Sequence, residues 1–285
     1  MDTIDKEKIK ESVRESYAKV AKGGGVSIKS SMVPSCCGPS DTSADTNVAA
    51  SCCGGPEVTP EQMSAVMGYS KEEITSVIEG ANMGLGCGNP VALASLKPGE
   101  TVVDLGSGGG FDCFLAAKQI GESGQVIGVD MTPEMITKAR KNADKTGTKN
   151  VKFRSGEIEH LPIADNSTDL IMSNCVINLS PDKLQVYREA YRILKPGGRL
   201  SISDVLATAA LPDEVQKNLE LVAACVGGAE TFGDTEKILK EAGFQNIKIT
   251  ANDNSRKLIR EWDPDKSENA VDYVVSANIE AVKQA

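Results

Sequence analysis

The stretch VVDLGSGGGFD at residues 102–112 decides the fold of this chain. Its apolar first half predicts a buried strand, and its second half places glycines where the backbone turns sharply and approaches a ligand closely. A helix that follows such a loop offers free N–H groups and the positive end of its dipole. The combination is typical of open α/β sheets that bind an adenosine-bearing cofactor.

The spacing of the glycines differs from that of a dinucleotide-binding loop. A dinucleotide-binding loop has glycine at its first, third and sixth positions. Here Gly106, Gly108 and Gly110 take the first, third and fifth positions, and Phe111 takes the sixth. Asp104 precedes the first glycine by two residues. Because a glycine-rich turn alone is a weak signal, its interpretation depends on the elements around it.

A second predicted strand, QVIGVD at residues 125–130, ends in a carboxylate. Asp130 follows the loop by about twenty residues, the separation at which an acid hydrogen-bonds ribose hydroxyls. It could instead be a turn residue or the N-cap of a helix from Pro133. Because the loop and the acid occur together, we favour ribose binding, and Met131 then follows where an apolar side chain covers an adenine face.

Further strand and helix patterns alternate along the chain. This spacing predicts a mainly parallel sheet with helices on both faces, and ligands of such sheets bind beyond the carboxyl ends of the strands. The further strands are predicted at residues 151–154, 169–174 and 199–205, and the helices at 110–119, 133–146 and 181–194. The residues expected at strand ends are Asp104, Asp130, Glu157, Asn174 and Cys175.

Composition excludes several classes of function. A net charge of −9 gives no electrostatic reason to bind nucleic acid or an anionic membrane. No run of eighteen apolar residues and no apolar leader occurs, so we expect a soluble, cytoplasmic protein. The single histidine, His160, argues against histidine triads and multi-histidine metal sites. We expect it in a surface turn.

Eight cysteines provide a second signal. Two vicinal pairs, Cys36-Cys37 and Cys52-Cys53, lie within residues 31–57, which are rich in Ser, Gly, Pro, Asp and Thr and predict a loop. Paired thiols on such a segment suit capture of a soft ion or thiol–disulfide exchange. They could also be incidental, but because the pair occurs twice we favour a function.

The other cysteines occupy different settings. Cys87 lies among glycines in GLGCGNP, residues 84–90, where it has little to pack against. Cys175 follows the fourth strand on the cofactor side. Cys225 falls in a helix predicted over residues 212–226, some 80–100° away from its apolar stripe, so it is not an obvious core position. Cys113 lies among apolar helix residues and is expected to be a packing residue.

Several stretches together resemble the arsenite S-adenosylmethionine methyltransferases. The resemblance covers about residues 82–244, with a weaker match to the helix at 13–20. The loop itself is generic to class I S-adenosylmethionine methyltransferases, whereas the pairing of GCGNP with SNCVINL is much more specific. The stretches are GLGCGNP at 84–90, DLGSGGGFD at 104–112, DMTPEM at 130–135, SNCVINL at 173–179 and KPGGRLSISDV at 195–205.

The resemblance implies an enzyme that transfers methyl groups from S-adenosylmethionine to As(III) for detoxification. In that family cysteine thiolates hold As(III), and the matching positions are Cys87, Cys175 and Cys225. An N-terminal cysteine also takes part; we assign Cys37, with Cys36, Cys52 and Cys53 left open. The implied cofactor residues are Asp104, Gly106, Ser107, Gly108, Asp112, Asp130, Met131, Glu157, Ile158 and Asn174.

The resemblance also implies partners and a domain plan. The substrate would be arsenite or a trivalent arsenic–thiol conjugate, with thioredoxin or glutathione as the reductant after each transfer. We expect an N-terminal helix and cysteine-rich arm at 1–81, a Rossmann-like domain binding S-adenosylmethionine at 82–206, and a C-terminal α+β region at 207–285 that completes the arsenic site. The first helix shows an apolar stripe at Ile9, Val13, Tyr17 and Val20.

Three other functions fit parts of the sequence. A methyltransferase for a small organic molecule, such as a quinone or sterol precursor, would share the fold and leave the thiols incidental. The low aromatic content, 4%, disfavours the apolar pocket it needs. A metalloid-binding sensor on a methyltransferase scaffold would keep the cysteines and lose the cofactor contacts. A zinc-stabilised domain is disfavoured by the vicinal cysteine spacing.

Overall fold

A seven-stranded sheet forms the centre of the molecule, and its strand order is β3-β2-β1-β4-β5-β7-β6. A computed structural model describes residues 6–23, 59–252, 255 and 273–285. The strands are β1 (Thr101–Leu105), β2 (Gln125–Asp130), β3 (Val151–Ser155), β4 (Thr168–Asn174), β5 (Leu194–Ala207), β6 (Phe244–Asn252) and β7 (Val274–Lys283). The first five strands pair in parallel, and β7 pairs antiparallel with both β5 and β6.

The sheet reverses its strand order at β1. The chain proceeds outward from β1 to β2 and β3, then returns to place β4 and β5 on the other side of β1. A crevice forms at such a switch point, beyond the carboxyl ends of the strands, and ligands of open α/β sheets bind there. The glycine loop follows β1 directly, so the topology places it in this crevice.

Helices cover both faces of the sheet, as the sequence predicts. Side chains of β1 alternate between two cores: Val103 and Leu105 pack with α7 and α10, while Val102 packs with α5 and α6. The helices are α1 (Lys6–Ala21), α2 (Pro60–Val66), α3 (Lys71–Ser76), α4 (Pro90–Leu93), α5 (Phe111–Ile120), α6 (Pro133–Thr146), α7 (Lys183–Ile193), α8 (Asp213–Lys217), α9 (Leu219–Ala223) and α10 (Phe232–Glu241).

The prediction of a single helix over residues 212–226 is wrong. The chain forms two short helices, α8 and α9, because Asn218 adopts extended backbone angles and its side chain accepts hydrogen bonds from the N–H groups of Glu220 and Leu221. Cys225 lies after α9 in a left-handed conformation, with φ of 63°. The helical stripe therefore does not extend to Cys225, and its side chain is buried instead of lying off the core.

The first helix, α1, lies across the carboxyl-end crevice. Its apolar stripe packs as predicted, with Val13 buried and Ile9 and Tyr17 against the same cluster. Lys10 on the polar side pairs with Glu157 at 2.7 Å. Among the described residues, no helix has the length and apolar character needed to span a bilayer.

Candidate functional site

A cavity opens at the switch point, between the glycine loop, the end of β2 and the end of β4. α1 covers one side of it, through Lys10, Val13 and Tyr17. Nine of the ten predicted cofactor residues line this cavity: Asp104, Gly106, Ser107, Gly108, Asp112, Asp130, Met131, Ile158 and Asn174.

Glu157, the tenth, is not among the lining residues. Its carboxylate faces α1, where Lys10 binds it at 2.7 Å and Arg14 lies 3.6 Å away. Its neighbour Glu159 lines the cavity in its place. Glu157 therefore anchors the covering helix, a role that its position after β3 does not reveal.

The glycine loop has the geometry that the cavity requires. Gly106 has a φ of 71°, in the left-handed region, and a Cβ there would overlap the side chain of Val176. The Gly108 N–H donates to Oδ2 of Asp130 at 3.0 Å. Substitution of Gly106 by any other residue is therefore strained both by its backbone angles and by its neighbour.

Asp130 joins the loop to the start of α6. Its Oδ1 accepts a hydrogen bond from the Thr132 N–H at 2.8 Å, while Oδ2 is bound by Gly108. Burial raises the pKa of Asp130, and these backbone donors oppose the shift. The Thr132 side chain also hydrogen-bonds the carboxylate, so three donors leave about one of its four acceptor sites free.

Two polar atoms beside the cavity have no partner among the described residues. They are Oγ of Ser107 and Nδ2 of Asn82, and both are buried. Buried polar groups are almost always hydrogen-bonded, so each such atom calls for an explanation. A ligand that carries hydroxyl and ring-nitrogen groups supplies the missing partners. These atoms, the loop and Asp130 therefore fit an adenosine-bearing cofactor.

Asn174 connects the cavity to the segment that carries Cys87. Its Oδ1 accepts from the Cys87 N–H at 2.9 Å, and its Nδ2 donates to Gly88 O at 2.8 Å. The same Nδ2 lies 3.0 Å from the Tyr69 hydroxyl and 3.3 Å from Oδ2 of Asp112. Tyr69 in turn donates to Oδ1 of Asp112 at 2.6 Å. Protein groups thus engage both hydrogens of Nδ2.

The floor of the cavity is acidic. Burial, and then the charge of Asp112, raise the pKa of Asp104 well above its ordinary value, while Cys113 donates to Oδ2 of Asp104 at 3.2 Å. Burial also raises the pKa of Asp112 to about 6. The salt bridges found in the described part of the chain include neither carboxylate. Two buried carboxylates favour a cationic ligand at this end of the cavity.

Three cysteines that are distant in sequence meet beside the cavity. Cys87, Cys175 and Cys225 are each at most 5% exposed and belong to one apolar cluster. The Cys225 thiol donates to the Cys175 carbonyl at 3.1 Å. The Sγ atoms of Cys87 and Cys175 and a carboxylate oxygen of Asp204 lie within 4.8 Å of one another. Because Cys175 also lines the cavity, the thiols adjoin it.

The backbone at this cluster is unusual. Cys175 has a φ of 59° and Cys225 a φ of 63°, although neither is glycine. Non-glycine residues in this region cost about 1 kcal/mol or more and cluster at functional sites. Hydrogen bonds with Cys225 and Cys87, followed by burial, raise the pKa of the Cys175 thiol well above its ordinary value, and burial raises that of Cys87. Both thiols are therefore protonated in the free protein at neutral pH.

The other predicted residues have simpler positions. Cys113 is fully buried in α5, as expected for packing, with the added bond to Asp104. His160 is exposed in a turn. Cys37, like Cys36, Cys52 and Cys53, lies outside the described residues.

Sequence analysis missed Tyr69 and Asn82, which precede GLGCGNP in the chain between α2 and α4. Asn82 lines the cavity, and Tyr69 donates a hydrogen bond to Asp112, which lines it. No spacing rule points to either residue. Only their position within twenty residues of GLGCGNP could have drawn attention to them.

Comparison with known proteins agrees with this geometry. A family model described as a methyltransferase domain matches residues 96–243. Phosphoethanolamine N-methyltransferase 2 from Haemonchus contortus, solved with S-adenosyl-L-methionine, shares the fold with a TM-score of 0.59 at 22% identity, over 80% of this chain and 58% of that one. The architecture is that of a class I S-adenosylmethionine-dependent methyltransferase, as the sequence predicts.

More similar relatives define the family. An arsenite methyltransferase of Halobacterium salinarum is 48% identical over 99% of this chain and 68% of its own length. The crystal structure of an arsenic(III) S-adenosylmethionine methyltransferase from Chlamydomonas reinhardtii is 34% identical, with a TM-score of 0.58, over 80% of this chain and 74% of that one. The chain belongs to the arsenite methyltransferase family.

The family also extends to animals. The human arsenite methyltransferase is 43% identical over 50% of this chain and 40% of its own length. This chain therefore spans about two thirds of the archaeal relative and less than half of the human one.

Proposed function

We propose that this protein transfers the methyl group of S-adenosylmethionine to As(III) held by Cys87, Cys175 and Cys225. The observation that carries the proposal is the convergence of these three buried thiols against the cavity, with Cys175 contributing to both. Arsenic is a soft centre, and thiolates are the side chains that bind soft centres best. A site built of thiols beside a methyl-donor cavity therefore suits arsenic as the acceptor.

The residues around the cavity fit the cofactor. Asp130 has about one acceptor site left for a ribose hydroxyl, and the unpartnered Ser107 and Asn82 atoms supply further hydrogen bonds. Asp104 and Asp112 favour the cationic end of the molecule. When bound, the cofactor supplies a methyl group already activated on a sulfonium, so the protein mainly supplies alignment.

Protonated thiols are compatible with binding of neutral arsenite. Each thiol that bonds to arsenic displaces a hydroxide and gives it a proton, so that three thiols release three waters and no net charge enters the apolar cluster. The bound arsenic keeps a lone pair and needs no general base to act as the nucleophile. This chemistry agrees with a site in which the single histidine takes no part.

Methyl transfer formally oxidises arsenic from the trivalent to the pentavalent state. Oxidation of two thiols to a disulfide returns the two electrons, and a small thiol or thioredoxin-type reductant then reduces the disulfide. We assign that exchange to the N-terminal cysteines, Cys37 first among them, with thioredoxin or glutathione as the partner. A reducing compartment such as the cytoplasm keeps these thiols available.

Mass-resolved detection of methylated arsenic tests the proposal. Purified protein, S-adenosylmethionine, arsenite and a thiol reductant should yield methylarsenicals. Cys175→Ser and Cys225→Ser should each abolish the product and leave cofactor affinity nearly unchanged. Val226→Ala, which shortens a fully buried neighbour without removing a thiol, controls for packing. Turnover like that of the unaltered protein in either serine variant would refute the thiolate site.

A further inference from the structure

A buried carboxylate lies beside the thiols. Asp204, on β5, is 2% exposed, and one of its oxygens lies within 4.8 Å of both the Cys87 and Cys175 Sγ atoms. We propose that Cys87, Cys175 and Asp204 form a binding site for a thiophilic divalent cation of the Zn²⁺ class, which competes with arsenic for the two shared thiols. The competition rests on the proposed function, whereas the cation site itself does not.

The donor set matches such a cation better than it matches arsenic. Zn²⁺ accepts thiolate sulfur and carboxylate oxygen together in tetrahedral sites, whereas a carboxylate is a hard ligand for a soft metalloid. Donors about 2.3 Å from a tetrahedral ion are about 3.8 Å apart. The Cys87 and Cys175 sulfurs, already within 4.8 Å of each other, need to close by no more than about 1 Å. Each sulfur and the Asp204 oxygen need to close by no more than about 1.3 Å, because the bond from oxygen to the ion is shorter.

Asp204 is oriented and has an acceptor site to spare. Its Oδ2 accepts from the N–H groups of Ile177 at 2.9 Å and Asn178 at 3.3 Å, and its Oδ1 accepts from the Val205 N–H at 2.8 Å. Three donors leave about one of the four lone-pair positions free, on Oδ1. None of the ion pairs among the described residues includes Asp204; burial raises the pKa of its carboxyl group, and the nearby charge of Lys183 offsets only part of that shift.

Binding balances in charge and protons. The cation displaces one proton from each of the two thiols to solvent and joins the existing carboxylate, with a water in the fourth position. Cys225 is not part of this set, because its Sγ does not lie within 4.8 Å of all three donor atoms. Its thiol also donates a hydrogen bond to the Cys175 carbonyl at 3.1 Å. Cys175 lines the cavity and gives the ion a path inward.

The two ions therefore depend on different third ligands. Arsenic is proposed to need Cys225, whereas the divalent cation needs Asp204. Asp204→Asn should separate them, because the amide oxygen of asparagine can retain the Ile177 and Asn178 donors while its NH₂ group, in the place of Oδ1, cannot bind a cation and also gives up the hydrogen bond from the Val205 N–H.

Cadmium chloride is the probe for the test. The full chain carries Cys36→Ser, Cys37→Ser, Cys52→Ser and Cys53→Ser so that the N-terminal thiols do not contribute, and it is reduced and free of arsenite. Thiolate-to-cadmium absorption and calorimetry should report one ion per chain and release of about two protons. Cys87→Ser should abolish binding, and Asp204→Asn should weaken it at least about tenfold. Cys225→Ser should leave cadmium affinity within about threefold.

The outcomes separate this site from the proposed function. Cadmium affinity unchanged by Asp204→Asn, or no stoichiometric binding, would overturn the cation site even if arsenite is methylated. Absent methylation with cadmium binding as described would overturn the arsenic function alone. If Asp204→Asn does not fold, X-ray absorption of the cadmium complex decides: two sulfurs with oxygen neighbours support the site, and three sulfurs refute it.

Discussion

Replacement of Asn174 by alanine tests whether this residue holds the cofactor, as the sequence predicts, or positions Cys87. Asn174→Ala removes the acceptor of the Cys87 N–H and the donor to Gly88 O. Each buried backbone group left unpaired costs about 1–3 kcal/mol. Since Asn174 borders a cavity that water can enter, we expect the lower part of that range, about 2–3 kcal/mol in total. Tyr69 and Asp112 keep their mutual hydrogen bond.

This loss should appear mainly in arsenic binding. If the two Asn174 hydrogen bonds serve to order the Cys87 segment for arsenite binding, a loss of about 2–3 kcal/mol corresponds to a 30- to 150-fold weaker affinity for arsenite. Cofactor affinity should change by less than about threefold, because Asn174 has no uncommitted donor toward the cavity. Equilibrium dialysis with mass detection of arsenic, and calorimetry with S-adenosylmethionine, measure the two affinities on the same protein.

Gly86→Ala provides an independent perturbation of the same contact. Its Cβ would lie 2.6 Å from Nδ2 of Asn174, and Gly86 has a φ of 119°. The added methyl group should displace the amide and reproduce the arsenite-selective loss. A tenfold fall in cofactor affinity with unchanged arsenite affinity in Asn174→Ala would refute the positioning role and return Asn174 to the cofactor residues.

Three further variants probe the cavity. Asp130→Ala should weaken S-adenosylmethionine binding by about 2 kcal/mol, measured by calorimetry, because a charged acceptor of ribose hydroxyls is lost; unaltered affinity would remove Asp130 from the site. Ser107→Ala should stabilise the ligand-free protein slightly in urea unfolding and weaken cofactor binding, because its Oγ has no partner among the described residues. Burial raises the pKa of Asp112 from 3.8 to about 6, so the folded protein retains a proton that the unfolded chain releases. The free energy of unfolding should therefore fall by about 3 kcal/mol relative to that of Asp112→Asn as pH rises from about 4 to 6, with no further fall above that range. A difference in unfolding free energy between the two proteins that does not change with pH would show that Asp112 does not titrate there.

The sequence predicts the regular elements well because their determinants are local. The strand at residues 125–130 and the helix at 133–146 have the predicted bounds, since an apolar run ends in a carboxylate and a proline at the first helical position begins the next element. The glycine loop is equally local. These features fix the switch-point crevice, and with it the position of most of the predicted cofactor residues.

The thiol site is less predictable because tertiary contacts override periodicity. For Cys225, a helical pattern over residues 212–226 predicts a position outside the core, yet Asn218 interrupts the helix and the chain turns the thiol inward. Cys87 lies among glycines that predict little packing around it, yet Asn174 holds the segment in place and the side chain is buried in an apolar cluster. Such local failures are expected at functional sites, where backbone strain is tolerated.

The motif SNCVINL explains how three distant cysteines are brought together. It supplies one thiol itself, at Cys175, and an amide on each side. Asn174 binds the backbone N–H of Cys87 at 2.9 Å, and Asn178 donates to the carbonyl of Cys225 at 3.3 Å. Asp204 in turn accepts the N–H of Asn178.

Each asparagine therefore holds the backbone of one cysteine segment and makes no hydrogen bond to its sulfur. This arrangement gives a physical reason for the specific pairing of GCGNP with SNCVINL in the sequence. Asn174 of the second motif makes the hydrogen bonds that hold Cys87 and Gly88 of the first. A change in either asparagine should separate the thiols while the sheet and the cofactor loop, which depend on other contacts, stay intact.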